Sequence, residues 1–514
     1  MKTINNFLRK INKEKEYRFL IDFIAKYEKA EVYFVGGLVR DLILMQFRKS
    51  NSKMKDIDIV IRNIDANEIE NFLCKYGKVN LVGKTFGVFK FVPKEYETME
   101  PIDIALPRAE ESFGTGGYKD FKIQSEPTLP LEEDLSRRDF TINAIAIDYK
   151  RKKIIDPFHG IDDIKKRIIR AVGNASDRFN EDYTRMLRAI RFACQLNFRI
   201  ERKTWEAIKS LMPRINNSKN INGIEERIVP KELIAKELAL SLIYNPLKMV
   251  KLYDESGALK ELMPELLDLK GIPQPEEFHS EGDVWQHTML CLKILQSKRF
   301  KKKFYDWEVD AELVFSILYH DIGKPKTISI PPQGSTSRIT FYEHANVGAM
   351  IAENAIKRLA LSTAGVRPDN VKWLIQNHML FINAYYKEMK NSTIVKYFFD
   401  KQTGELSNIG KKLLMLNYCD SLATIPKYKK QSLKNFKGIL KRINQLRDKT
   451  KQQISLPKPY LNGNEIMSIL NVKPGPIIGV LIESLREEQL SGRVKNRQEA
   501  IEFIKRLYAS IAYK

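Results

Sequence analysis

The sequence predicts an α+β protein, with a small mixed β-sheet head in its first third and a long all-α remainder. Three observations carry that reading. Short strand-like runs alternate with helix-like ones up to about Ile155. Beyond Ile161 apolar residues recur only at helical spacing. The 514 residues exceed what one hydrophobic core organises, so several domains are expected. An apolar fraction of 43% with 10% aromatics excludes wholesale disorder.

The elements follow in order. EVYFV (31–35) reads as a strand that ends at Gly36-Gly37, and a helical pattern runs through Leu38–Phe47. KDIDIVI (55–61) alternates strictly, which turns Ile57, Ile59 and Ile61 to the core and Asp56 and Asp58 to the other face. GVFKFVP, PIDIALPR and NAIAIDY read as further strands. Residues 107–131 contain ESFGTGGYKDFKIQSEP and are expected to form a long mobile loop. In the helical remainder, KGIPQPEEF (270–278) marks a seam and PPQGSTSR (331–338) an exposed insertion. A basic stretch over 427–453 leads to a tail that begins near Leu456.

Charge is the unusual feature. Lys and Arg number 87 against 64 Asp and Glu, a net +23, which suits a polyanionic partner. Four scattered cysteines with no CxxC pair favour neither disulfides nor a zinc ribbon and point to a reducing cytoplasm. No apolar run reaches the ~18 residues of a membrane span. The first residues lack the pattern of a secretory signal.

The strand–Gly36-Gly37–helix junction is a place where backbone N–H groups can cradle phosphate, with Arg40 in the first helical turn. Asp56 and Asp58 side by side would repel unless they hold a cation, and oxygen-only ligands favour Mg²⁺ or Mn²⁺.

GGLVRD (36–41), DID (56–58), RRDFTINA (137–144), DPFHGIDD (156–163) and EDYTRMLRAIRFA (181–193) together resemble the polymerase-β-like nucleotidyltransferases. Within them the likeness is to the class II tRNA nucleotidyltransferase and bacterial poly(A) polymerase family. It implies a nucleotidyltransferase head (1–160), a helical neck that binds nucleobase and RNA (161–270), a body (278–425) and a tRNA-binding tail (426–514). By that resemblance Asp56 and Asp58 are catalytic ligands of Mg²⁺, and Gly36, Gly37 and Arg40 contact the triphosphate. Arg137 and Arg138 meet phosphate or ribose oxygens, Asp139 meets the ribose 2′-hydroxyl, and Asn143 and Arg188 complete the nucleotide-binding set. Asp103 is either a third carboxylate near the metals or an ordinary strand-face residue.

The resemblance also implies that Asp182 and Arg185, three residues apart on one helix face, read the incoming base. Cytosine and adenine each present an amino donor beside a ring-nitrogen acceptor, which an Asp and an Arg complement. Guanine and uracil invert the pattern, and each buried mismatch costs about 1–3 kcal/mol. Glu181 and Arg191 are expected to brace this helix. Relatives that add only CC have a shorter loop than 107–131, so complete CCA addition from CTP and ATP is expected. The tail matches GNEIM and PGPIIG favour tRNA over poly(A) synthesis. The alternatives are a poly(A) polymerase, an A-adding specialist, or a phosphohydrolase with an RNA-binding head.

Five of the six histidines fall between 279 and 378. His287, His320-Asp321 and Asp420 on successive helical runs resemble the HD metal-dependent phosphohydrolases. That likeness makes them metal ligands, with His344 and His378 at positions a two-metal version would use. Mixed imidazole and carboxylate donors suit Mn²⁺, Fe²⁺, Co²⁺ or Ni²⁺, or Mg²⁺. His279 is either a group behind the ligands or a loop residue, and His159 is assigned nothing.

Overall fold

The structure is a computed structural model that describes residues 2–48, 57–82, 88–117, 120–221, 223–380, 389–400, 402–428, 433–451 and 459–512. It divides into two compact units, 1–264 with 359–364, and 265–358 with 365–514.

The first unit opens with helices α1 (Lys2–Lys13) and α2 (Arg18–Lys26). The chain then alternates through β1 (Glu31–Val35), α3 (Gly37–Arg48), β2 (Asp58–Arg62), α4 (Ala66–Tyr76), β3 (Gly77–Val82), β4 (Val88–Pro93) and β5 (Ile102–Ala105). After β6 (Arg108–Ser112), β7 (Phe121–Ser125) and α5 (Leu131–Ser136) come β8 (Ala146–Asp148) and β9 (Lys153–Ile155). Among the described residues the main sheet has seven strands in the order β3-β4-β5-β2-β1-β8-β9. It is mixed: β2 and β5 run parallel, and their neighbours pair antiparallel.

Both faces of this sheet are covered. Phe34 of β1 meets Phe7 of α1 edge-on at 5.1 Å between centroids. On the opposite face Tyr33, Val35 and Val60 pack with Leu131 and Leu135 of α5. Ile59, Val60 and Ile61 are therefore all buried, and Ile57 only partly so. Strict one-sided alternation does not hold in β2, because α5 supplies a second apolar surface.

The stretch 107–131 is not simply a loop. β6 and β7 pair antiparallel over Arg108↔Ser125 to Ser112↔Phe121. The hairpin lacks an apolar alternation because its inward side is held by ions: Glu110 binds Arg108 and Arg137. Periodicity of hydrophobic residues cannot detect such a strand.

The rest of this unit is mostly helical: α6 (Gly160–Lys166), α7 (Ala175–Glu181), α8 (Thr184–Leu196), α9 (Arg202–Leu211), α10 (Lys231–Tyr244), α11 (Pro246–Ser256) and α12 (Ala258–Leu262). It is not purely so. Ile168–Ile169 pairs with Arg199–Ile200, and Ser218–Ile221 with Ile224–Arg227. These two-residue and four-residue pairs are too short to leave a sequence signal.

The second unit carries α13 (Val284–Leu295), α14 (Lys298–Lys303), α15 (Ala311–Tyr319), α16 (Lys324–Thr327), α17 (His344–Arg358) and α18 (Pro368–Asn377). Helices Asn391–Phe398, Asn408–Ala423 and Lys434–Lys451 follow. A short pair, Ile328–Ser329 with Thr340–Phe341, brackets the exposed 331–338 insertion. The tail helices Gly463–Leu470, Pro476–Ser491 and Arg497–Ala512 share a core of Leu461, Ile466, Leu481, Leu485, Ala500 and Ile504. All four cysteines are free, and no described helix is long and apolar enough to cross a membrane.

Candidate active sites

The first site forms where β1 ends. Asp58 opens β2 directly opposite Val35, and in the parallel direction it lies opposite Asp103 of β5. Gly36 then turns the chain with φ +74°, a conformation glycine adopts freely. A Cβ there would lie 2.9 Å from Asp58 Oδ2 and 3.2 Å from Arg138 Nη1. Carboxylate, guanidinium and bare backbone thus converge at the start of α3. The site fits a triphosphate and its cation: Arg138 Nε is buried without a hydrogen-bond partner, beside that side-chain-free cradle. Asp56 lies outside the described residues. Asp103 carries an ion pair to Lys90 at 2.8 Å.

The RRD segment is braced from behind. Asp134, fully buried, accepts from Arg137 Nη2 at 2.7 Å and Arg138 Nη2 at 3.3 Å, and Glu110 takes Arg137 Nη1 at 2.8 Å. Burial works against the Asp134 carboxylate, but these two guanidiniums hold its pKa below the usual range. The sequence reading missed Asp134, although LEEDLSRRD sets it three and four residues ahead of the arginines, one helical turn.

A buried polar ladder continues from this segment. Arg40 donates to Asp41 Oδ1 at 2.8 Å and to Asn143 Oδ1 at 3.0 Å. Asn143 Nδ2 donates to Asp139 Oδ1 at 2.9 Å, and Arg188 grips Asp139 Oδ2 at 2.7 Å. Arg188 and Arg191 both reach Glu237 of α10, at 3.6 and 2.5 Å. Burial pushes Asp139 up, yet Arg188 and Asn143 outweigh it and hold the carboxyl at about 2.

Asp182 and Arg185 do not share a helix. Asp182 is extended, between α7 and α8, and its Oδ1 accepts from Thr184 N at 2.8 Å and Thr184 Oγ1 at 2.6 Å. An Asp offers this capping alternative to the backbone more readily than a helix interior, which is why i, i+3 spacing misplaced it. The two groups nevertheless face each other, Asp182 Oδ2 standing 3.9 Å from Arg185 Nε, beyond direct hydrogen-bond reach. Arg185 is oriented by Glu181 at 2.8 Å and by the Arg137 carbonyl at 3.2 Å. Glu181 also binds Arg178 at 2.8 Å. Burial raises the Asp182 pKa against the opposing pull of Thr184 and Arg185.

The hairpin tip reaches this pair. Tyr183 N donates to the Gly116 carbonyl at 3.0 Å, and a Cβ on Gly116 would sit 2.1 Å from the Tyr183 ring. Asp120 in the same tip is clamped by Lys219 at 2.5 Å.

The second site gathers the predicted histidines from separate helices. Asp283, Asp310 and Ser407 cap the starts of α13, α15 and helix Asn408–Ala423, which carry or end at His287, His320 and Asp420. His344 starts α17 and His378 follows α18. Gly323 lets α17 approach, since a Cβ there would lie 2.1 Å from the His344 carbonyl. Asp321 stands between two histidine pairs: Oδ2 lies 3.3 Å from His320 Nε2, and Oδ1 lies 3.6 and 3.7 Å from His344 and His378 Nε2.

These donors fit a metal. The Nδ1 atoms of His320, His344 and His378 lie 2.8, 2.8 and 2.6 Å from backbone carbonyls, so each Nε2 lone pair turns inward. Glu281 does the same for His287 Nδ1 at 2.8 Å. His320 Nε2 is buried without a hydrogen-bond partner, and the His344 and His378 Nε2 atoms face each other at 3.3 Å. His344 is pushed down to about 4 by burial, which keeps it neutral. Glu281 also accepts from His279 Nδ1 at 2.7 Å, which makes both of them supports behind the ligands. Neither Glu281 nor Lys324, whose Nζ lies 2.7 Å from Asp321 Oδ2, was identified from sequence. Lys324 sits three residues after the HD pair, a spacing that would have found it.

The chain matches the poly A polymerase head domain over residues 32–170, the HD domain over 284–405 and the tRNA nucleotidyltransferase domain 2 over 393–504. It is 36% identical over 298 residues to the multifunctional CCA protein of Nitrosomonas europaea, covering 58% of this chain and 63% of that one. The chain thus spans less than two thirds of that relative's length. With the multifunctional CCA protein of Methylobacillus flagellatus it shares 31% identity over 395 residues, 76% of this chain and 83% of the relative. Its fold is similar to the Bacillus stearothermophilus CCA-adding enzyme solved with CTP (TM-score 0.61, 20% identity, 98% and 100% covered). It is also similar to the Thermotoga maritima CCA-adding enzyme solved with tRNA (TM-score 0.55, 21% identity, 98% and 95% covered). On its relatedness to the Methylobacillus protein over four fifths of that protein's length, the chain belongs to the multifunctional CCA protein family.

Proposed function

We propose that this chain adds C, C and A stepwise to tRNA 3′ ends from CTP and ATP, without a nucleic-acid template and with release of pyrophosphate. The observation that carries the reading is the convergence of Gly36, Asp58 and Arg138 at the end of β1. Asp56 and Asp58 would hold Mg²⁺, which supplies activation of the 3′-hydroxyl and charge neutralisation on the leaving pyrophosphate. Gly36, Gly37 and Arg40 orient the triphosphate, while Arg137 and Arg138 neutralise it. Asp139, Asn143 and Arg188 form the floor beneath the sugar. Asp182 accepts from the exocyclic amine of C or A, and Arg185 donates to the neighbouring ring nitrogen.

In this division residues 1–160 are the catalytic head, 161–270 the base-reading neck, 278–425 the HD body and 426–514 the tRNA-binding tail. The basic stretch containing Lys434–Lys451 meets the phosphates and 2′-hydroxyls of a folded RNA. The enzyme works in the cytoplasm, where tRNA and nucleotides are found together. The inward-facing histidine set supports a second chemistry, metal-dependent phosphoester hydrolysis, with Mn²⁺, Co²⁺ or Ni²⁺ at His287, His320, Asp321 and Asp420 and a further ion at His344 and His378.

Labelled CTP and ATP offered to tRNAs trimmed by one, two and three 3′ nucleotides, beside an unrelated RNA, test the proposal. Restoration of CCA on tRNA alone is expected. Long A-tails on every RNA would mean a poly(A) polymerase, labelling of only the last acceptor an A-adding specialist, and phosphate release without labelling a hydrolase.

A further inference from the structure

The HD-like site contains a sulfur that the H…HD…D pattern does not call for. Cys291 lies four residues after His287 on α13, so both side chains leave the same face. It is fully buried, and its Sγ lies 3.6 Å from His287 Nε2. The donor atoms of His287, Cys291, His320 and Asp420 all lie within 4.8 Å of one another. His320 Nε2, 1% exposed as a residue and without a hydrogen-bond partner, is the independent sign that this group is built for a ligand.

Donors that share one ion stand apart by comparable distances: bond lengths of about 2.0–2.1 Å to nitrogen or oxygen and about 2.3 Å to sulfur imply tetrahedral edges of about 3.4 Å for N···O and about 3.6 Å for N···S. His287 Nε2 lies 3.2 Å from Asp420 Oδ1 and 3.6 Å from Cys291 Sγ, and His320 Nε2 lies 4.0 Å from Asp420 Oδ1. Asp321 shares this place: its Oδ2 is 3.3 Å from His320 Nε2 and 3.9 Å from His287 Nε2, with Lys324 Nζ at 2.7 Å, while Oδ1 faces His344 and His378.

We propose that Cys291 is a thiolate ligand added to the metal site of His287, His320, Asp321 and Asp420, which selects Zn²⁺, Fe²⁺ or Co²⁺ over Mg²⁺. Sulfur is a soft donor that Mg²⁺ rejects and these ions accept. The thiol proton leaves to solvent when the ion binds. The proposal rests on the HD metal reading and shifts its choice of metal towards ions that accept sulfur.

The test uses the full chain carrying Asp58→Ala, to remove the head's carboxylate ligand, stripped with chelator and titrated with Co²⁺. A near-ultraviolet sulfur-to-cobalt charge-transfer band is expected. Cys291→Ser should lose the band and keep bound cobalt, whereas Cys419→Ser, a buried thiol outside the donor group, should keep both. Cobalt bound without a band, or an undiminished band in Cys291→Ser, overturns the sulfur assignment alone. No bound cobalt overturns it together with the HD metal reading. X-ray absorption on the zinc-loaded parent needs no variant at Cys291: a sulfur scatterer at about 2.3 Å is expected, and a shell of nitrogen and oxygen only contradicts the proposal.

Discussion

At Gly36 a Cβ would crowd the site, 2.9 Å from Asp58 Oδ2 and 3.2 Å from Arg138 Nη1, on a backbone with φ +74°. Gly36→Ala should therefore cost about 1–2 kcal/mol in backbone strain. Displacing Asp58 by a fraction of an ångström should also lower kcat by about 10²-fold. A thermal melt and steady-state CTP transfer separate the two effects. Asp139 gives a pH signature. Its folded pKa of about 2 lies below the usual ~3.9, so its stabilisation is complete above pH 4 and vanishes as pH falls through 2. Asp139→Asn should be about 2 kcal/mol less stable than the parent at neutral pH, with the difference closing between pH 4 and pH 2 in denaturant titrations. The motif residues themselves were legible, since glycines and paired charges carry their chemistry in their names. Asp134, Glu237 and Glu281 were not, because a buried carboxylate that braces an arginine or a histidine looks like any surface acid until the fold brings its partner near.

Among the elements, the hairpin β6–β7 is the one least legible in the sequence. Arg108 and Glu110 of β6 form ion pairs where apolar residues would be expected, so hydrophobic periodicity registered only the glycines of its tip. The tip touches Tyr183, next to Asp182, and adenine needs a larger pocket than cytosine. Gly116→Ala should thus lower A addition at least tenfold more than C addition, measured as single-turnover rates on trimmed tRNAs; equal losses would detach the hairpin from base choice. Glu181 holds Arg185 across the α7–α8 junction, and charge-assisted hydrogen bonds are worth about 1.5–3 kcal/mol. Glu181→Gln should raise misincorporation by about tenfold or more. That junction was misread as continuous helix because spacing alone does not distinguish a residue in a helix from one that caps it. Five strands of the main sheet, β1, β2, β4, β5 and β8, were anticipated from their apolar pattern, whereas β3, β9 and the two-residue pairs were not.

For the whole molecule, the two proposed chemistries would draw on different residues and should separate. Asp58→Ala is expected to abolish nucleotide transfer and spare metal-dependent phosphoester hydrolysis, while His320→Ala should do the reverse; loss of both activities in either variant would mean a shared centre. The account's central claim is that Asp182 and Arg185 replace a template strand. Competitive incorporation of all four nucleoside triphosphates on trimmed tRNA, by the parent and by Asp182→Ala, tests it most directly. The parent should favour CTP and ATP by about 10²- to 10⁴-fold, from two mismatched hydrogen bonds, and the variant should lose most of that preference. Equal use of UTP and GTP by the parent, or undiminished preference in the variant, would contradict it.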